Sequence, residues 1–339
     1  MSQSKEKELE QFTLIMEGRD KIAEARKKKG LEAVTKKPEK KKIIGLSCGT
    51  KNGNCETFIK EAAKGAEEFG IETEIIRAIE LKVNPCRGCG ADLEILRRGK
   101  LDVCPIKDDV PWILEKTVLE DASLIVAAPV YYIRSNALFM SICERMHPTM
   151  FSHLEILKKR KVGAIISVGG GVNGWTSFGL AMVNIWVQHF ATLVDQMQVE
   201  MRLPGIDWFA RARELGRNVA RAMLMPIEEV KYVGPEPAVS CPVCHCDILQ
   251  VPQDLPNVYC PVCWVRGVIS VENGKMKVKW NEWDINHARF SEYGVWHHLD
   301  VEILKYMTDP LAREHFKKLE ERKKEYKSFC KIIKPPVKS

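Results

Sequence analysis

A chain of 339 residues with 45% hydrophobic content is long enough for one large core with appendages, or for two domains. Its net charge of +7 lies largely in Arg26–Lys29, Lys36–Lys42 and the C-terminal stretch, runs that read as solvated faces, so nucleic acid is not an expected partner. No apolar run approaches the roughly 18 residues of a membrane span, the N-terminus is not signal-like, and 12 cysteines in such a chain favour metal or redox chemistry over a disulfide scaffold, which together suggest a cytoplasmic protein with no membrane partner.

The N-terminal region to about Glu39 is charged, with Leu9, Phe12, Ile15, Met16 and Ile22 at amphipathic-helix spacing, and Pro38 with its flanking lysines reads as a linker. A strand–helix alternation follows. Ile43–Leu46 reads as a strand, and Phe58, Ile59, Ala62, Ala63, Ala66 and Phe69 fall on one face of a helix. Further strands are expected at Ile71–Ile79, Ser123–Ala128, Val162–Val168 and Leu193–Met201. Helical patterns lie at Pro111–Leu119, Asn136–Met146, Gly174–Phe190 and Asp207–Met223. Alternation of this kind implies right-handed crossovers and an α/β fold, a five-stranded parallel sheet covered on both faces. Ligands of such sheets sit at the carboxyl ends of the strands.

Three strand ends are rich in small, polar or aromatic residues. The first carries Ser47, Gly49, Thr50, Lys51, Asn52, Gly53, Asn54, Cys55 and Thr57, leaving a strand and opening a helix. Small residues let the backbone curl around a phosphate, and the helix N-terminus adds a favourable field; an ordinary strand–helix turn would use the same residue types. The second is Pro129-Val130-Tyr131-Tyr132, where proline ends strand pairing and the rings offer flat apolar surface. The third is Gly169-Gly170-Gly171, followed by Gly174, a run that permits close backbone approach.

From about Ile43 to Met225 the chain resembles the flavodoxin-like NAD(P)H-dependent FMN reductases and their iron–sulfur flavoprotein relatives. Ser47 and Lys51-Asn52-Gly53-Asn54 match the family's first loop, with Cys55 where threonine is usual, and Ala128-Pro129-Val130-Tyr131-Tyr132 matches its second. The resemblance implies that the first loop wraps the FMN phosphate, that the second and third flank the isoalloxazine ring, and that NAD(P)H is a co-substrate. It also implies a homo-oligomer, dimeric or tetrameric.

Cys86-x2-Cys89 and Cys104 match the family's cysteine segment, which in its iron–sulfur members holds a four-iron cluster. Such a cluster normally takes four thiolates, and Asp92 occupies the place of one of them. A cluster with an unusual fourth ligand and no cluster at all both stay open, as does a packing role for these thiols. Cys48, Cys55 and Cys143 read as small core residues.

Cys241-Pro242-Val243-Cys244 and Cys260-Pro261-Val262-Cys263 are two equal knuckles separated by 15 residues, the arrangement of a tetrahedral metal site. Zinc would make a structural ribbon and iron a rubredoxin-like one-electron centre; Cys246 is a fifth candidate beside Cys244. A β-hairpin over Gly267–Trp280 with Asn273-Gly274 at its turn continues the ribbon. Four regions are expected: residues 1–40 as a helical extension and linker, 41–232 as the flavodoxin-like domain, 233–282 as the ribbon, and 283–339 as a C-terminal helical extension. The expected activity is electron transfer from NAD(P)H or a reduced carrier protein to a small-molecule or protein acceptor. Its rival is a non-enzymatic electron carrier using FMN with an iron or iron–sulfur centre. Tyr131, Tyr132 and His297 are the only proton donors that suggest themselves, and no catalytic acid can be assigned.

Overall fold

The computed structural model describes residue 24 and residues 41–93, 95, 104–171, 174–253, 256–298 and 309–326. The expected N-terminal helix and the linker at Pro38 lie outside the described residues. By chain contacts the protein divides after Gly294. One unit, Glu17–Gly294, carries both the large sheet and the ribbon; the other combines Met1–Met16 with Val295–Ser339 and includes the helix Pro310–Glu325.

Five strands, β1 (Lys42–Ser47), β2 (Glu72–Arg77), β3 (Ser123–Tyr131), β5 (Lys161–Gly169) and β6 (Ala191–Glu200), form a parallel sheet in the order β2–β1–β3–β5–β6. This is the doubly wound flavodoxin-like arrangement, whose order reverses between β1 and β3. The central strands β1, β3 and β5 are apolar almost throughout because both of their faces are covered. β4 (Arg134–Ser135), unforeseen in the sequence, folds back antiparallel on the end of β3.

One face is covered by α1 (Asn54–Glu67) and α6 (Trp208–Met223), which bury Phe58, Ile59, Ala62, Leu215 and Val219. They cross at backbone contact. A β-carbon on Gly216 would stand 1.8 Å from the Ala62 carbonyl oxygen, and one on Gly65 would stand 2.0 Å from that of Arg213. Further helices around the sheet are α2 (Val110–Leu114, continued by a π-turn over Glu115–Leu119), α3 (Ala137–Glu144), α4 (His147–Ser152) and α5 (Gly179–Val187). Phe139 of α3, Trp186 of α5 and Phe190 meet edge to face at 5.8 and 5.0 Å between ring centroids, a geometry favoured by aromatic quadrupoles. At the foot of β5 the buried Lys161 donates to the carbonyl oxygens of Thr117, Val118 and Glu120, satisfying the end of the π-turn.

β7 (Asn257–Tyr259), β8 (Arg266–Glu272) and β9 (Lys275–Trp280) form the small ribbon sheet. Asn273 and Gly274 both have positive φ at the β8–β9 turn, the two-residue hairpin geometry that Asn-Gly favours. No helix among the described residues is long and apolar enough to cross a membrane.

Candidate functional site

The three strand-end loops lie on the same edge of the sheet, at the carboxyl ends of β1, β3 and β5. In the first, Ser47 ends β1 buried between Ala127 and Arg77, and Gly49 packs so closely that a β-carbon would come 2.9 Å from that of Cys55. A β-carbon on Gly53 would lie 2.3 Å from the Thr50 hydroxyl. At both positions a side chain would force its neighbours to shift. Gly53 is the N-cap of α1 and provides no side-chain cap, so the amides of Asn54, Cys55 and Glu56 open the helix without intrahelical acceptors. Thr50, Lys51, Asn52 and Asn54 are exposed around them. Cys55 is buried with its sulfur turned inward, where burial pushes its thiol up to about 12. Thr57 donates its hydroxyl to the Gly53 carbonyl.

The loop is held from behind by an unforeseen network. The buried Glu56 accepts from the Asn52 amide at 3.0 Å, from Arg77 Nε and Nη2 at 2.8 and 2.9 Å, and pairs with Lys60 at 2.6 Å. Arg77 foremost, then Lys60, holds the Glu56 carboxyl far below the usual carboxylate range despite burial. Arg77 also reaches the Asn52 side chain, and Asn52 itself has a φ of 54°.

In the second loop Pro129 pairs with Val168, while Val130 and Tyr131 pair with Ser135 and Arg134. Tyr132 and Ile133 form the tip with φ of 51° and 71°. Positive φ is costly for a β-branched residue, so Ile133 must be held by its surroundings. The Phe178 amide donates to its carbonyl at 3.0 Å. Tyr132 is 96% exposed, with Tyr131 and Trp175 also outward.

The third loop leaves β5 at Gly169, where a β-carbon would meet the Thr176 methyl at 2.3 Å, and passes the exposed Gly170. Gly171 packs on Trp175, Gly174 has a φ of 75°, and Val172 and Asn173 lie outside the described residues. Thr176 donates to Glu200, which closes the loop against β6.

Two long-range bonds join the loops into one site. Asn136 donates its side-chain amide to the Cys48 carbonyl at 2.8 Å, linking the second loop to the first while its oxygen caps α3. The Phe178–Ile133 bond links the third to the second. Neither partner stood out in the sequence. Only the N-cap signature of Asn136 before the apolar run Ala137–Ile142 was a usable signal.

The four knuckle cysteines converge: the sulfurs of Cys241, Cys244, Cys260 and Cys263 lie within 4.8 Å of one another and are buried. The knuckles are near copies. Cys241 and Cys260 donate to the Cys246 and Val265 carbonyls at 2.9 Å, and accept from the His245 and Trp264 amides. His245 and Trp264 take left-handed φ of 55° and 64°. Tyr232 stacks on His245 at 3.6 Å, while Tyr259 and Arg289 bracket Trp264. Cys246 stands outside the cluster, its sulfur accepting from Asn184. The ribbon rests on α5 and β6 through Ala181, Asn184 and Gln196, and Cys263 lies within electrostatic reach of Lys159, before the start of β5. The nine residues of β5 are eight steps of about 3.3 Å, about 26 Å in all, and Lys159 precedes the first of them, so the second knuckle lies toward the end opposite the glycine loop.

Cys86 and Cys89 are exposed and Cys104 is half-buried. Among the described residues they form no single-ion cluster of the ribbon's kind. Their segment is fastened by Asp108, which receives both Nη atoms of Arg145 at 2.7 and 3.0 Å and the Asn84 amide at 2.8 Å. Both members of this ion pair are buried.

Residues 41–202 match the family described as NADPH-dependent FMN reductase. An iron–sulfur flavoprotein of Methanosarcina thermophila is 34% identical over 154 residues, which is 45% of this chain and 76% of that protein. Another, from Methanocaldococcus jannaschii, is 35% identical over 134 residues, 39% of this chain and 64% of its own length. A flavone reductase structure superimposes with a TM-score of 0.68 over 87% of this chain and 99% of its own, at 24% identity, a likeness of fold. With the sheet order and the three joined loops, these matches mean that the chain belongs to the flavodoxin-like family of NADPH-dependent FMN reductases and iron–sulfur flavoproteins.

Proposed function

We propose that the protein is an FMN-dependent oxidoreductase that takes electrons from NAD(P)H or a reduced carrier protein and passes them to an acceptor. The observation that carries this reading is the uncapped N-terminus of α1, set in a glycine-lined cradle and tied through Asn136 and Phe178 to two further loops. The amides of Asn54, Cys55 and Glu56, with the Thr50 hydroxyl, suit a phosphate. Cys55 contributes through its amide, not its sulfur, and Thr57 braces the cradle. Pro129–Tyr132 and Gly169–Gly174 border the space for a planar ring, where glycines admit close approach and Tyr131, Tyr132 and Trp175 offer aromatic surface. Glu56 and Arg77 act by holding the cradle, their opposite charges cancelling behind the phosphate position. FMN, when bound, supplies the redox chemistry.

The ribbon is read as a structural zinc site. Four buried thiols leave no position open to a substrate, and the second knuckle's place at the far end of β5 separates it from the flavin loops of its own chain. The absorption spectrum of the purified full-length protein, with metal analysis, tests both assignments. A flavin band, one zinc per chain and rapid NAD(P)H oxidation are expected. Absence of the band together with failure to bind added FMN would overturn the flavin reading. Iron in the ribbon with no pyridine-nucleotide oxidation would favour an electron carrier. A homo-oligomeric assembly, suggested by the family, is checked by light scattering on the same sample.

A further inference from the structure

The relatives of this chain are iron–sulfur flavoproteins, and a four-iron cluster is held by four cysteine thiolates. The segment from Cys86 to Cys104 presents three. The spacing Cys86-x2-Cys89-x2 ends on Asp92, and its carboxylate is already engaged, with Oδ2 3.3 Å from Nδ1 of His147. Among the described residues the remaining cysteines are committed elsewhere. Cys143 is half-buried on α3, on the side of Cys48, whose charge its thiol feels. Cys48 and Cys55 are buried behind the first loop, Cys246 accepts from Asn184, and the other four converge in the ribbon. Cys104 sits beside the Arg145 guanidinium, which Asp108 and the Asn84 carbonyl hold in place. The donor set does not fit the cluster: among the described residues three sulfurs are available, and the fourth position carries a carboxylate paired to a histidine.

We propose, independently of how FMN is held, that this chain lacks the cluster of its relatives, that Asp92 is the residue responsible, and that Cys86, Cys89 and Cys104 are free thiols. Electrons would then enter and leave the flavin with no cluster relay in this segment. The ribbon is the remaining metal site among the described residues, and its ion carries no sulfide.

Acid-labile sulfide is therefore the discriminating measurement. The full-length wild type and Asp92→Cys are purified anaerobically and each is treated with ferrous iron, sulfide and thiol reductant. The wild type is expected to retain only background sulfide. Asp92→Cys is expected to gain about four sulfides per chain, with a paramagnetic signal on reduction by dithionite. Labile sulfide in the wild type that Cys86→Ser removes would overturn the proposal, and an Asp92→Cys variant that folds but gains no sulfide would overturn the role given to Asp92. Native anaerobic alkylation read by mass spectrometry tests the wild type without any variant. Cys86 and Cys89 should be modified in full, and their protection would contradict free thiols. Flavin content measured in the same samples separates these outcomes from failure of the FMN reading, because a colourless protein can still gain or lack sulfide.

Discussion

In the ribbon, Cys241 and Cys244 face Cys260 and Cys263 across a buried space in which all four sulfurs lie within 4.8 Å of one another. At the same Cys-x2-Cys spacing, Cys86 and Cys89 stand exposed beside a half-buried Cys104. Spacing alone therefore does not define a metal site. The ribbon knuckles are shaped by paired backbone bonds, by left-handed His245 and Trp264 held under aromatic neighbours, and by an apolar floor on α5. The other segment has no second knuckle to meet its first, and its order comes from a buried ion pair.

Breaking the ribbon should have the largest effect. Cys260→Ser removes a thiolate from a site whose metal contributes binding energy on the order of 10 kcal/mol in structural zinc domains, so loss of the metal and a large fall in Tm are expected. Metal analysis and thermal melting check this. The fastening of the cysteine segment comes next. Arg145→Met strands the buried Asp108 carboxylate and should cost about 3–5 kcal/mol in urea unfolding while leaving the ribbon metal in place.

A smaller, pH-dependent effect belongs to the first loop. The Glu56 carboxyl is held below its unfolded value, near 4.3, chiefly by Arg77. Its contribution is complete above that pH and is lost as pH falls towards the folded value. Stability should therefore decline on the acid side of about pH 4.3, and Glu56→Gln should flatten that limb of a pH–stability profile measured by urea unfolding. The smallest effect is expected at Cys86→Ser, an exposed position, where a stability change within about 0.5 kcal/mol would separate it sharply from Cys260→Ser.

The periodicity of the chain carried the sheet, its helices and the two knuckles, because burial on both faces leaves continuous apolar strands and Cys-Pro-Val-Cys is a local motif. What it did not carry depends on contacts distant in sequence. Arg77 meets Glu56 from the next strand, Asn136 reaches Cys48 across the sheet edge, and Phe178 catches Ile133 from the following loop. The β3–β4 hairpin was hidden because Tyr132-Ile133 is not the Asn-Gly type of turn; its left-handed tip has a bond from Phe178. The fate of Cys246 was equally a tertiary matter, decided by Asn184 on α5.

The most direct test of the flavin site is a fluorescence titration of FMN with flavin-free full-length protein, wild type beside Gly49→Val. The account predicts one FMN bound per chain by the wild type with a change in flavin emission. It predicts affinity weaker by about tenfold or more, some 1.4 kcal/mol, in the variant, whose side chain would collide with Cys55 inside the cradle. Equal affinity in the two proteins, or no binding by the wild type, would contradict it.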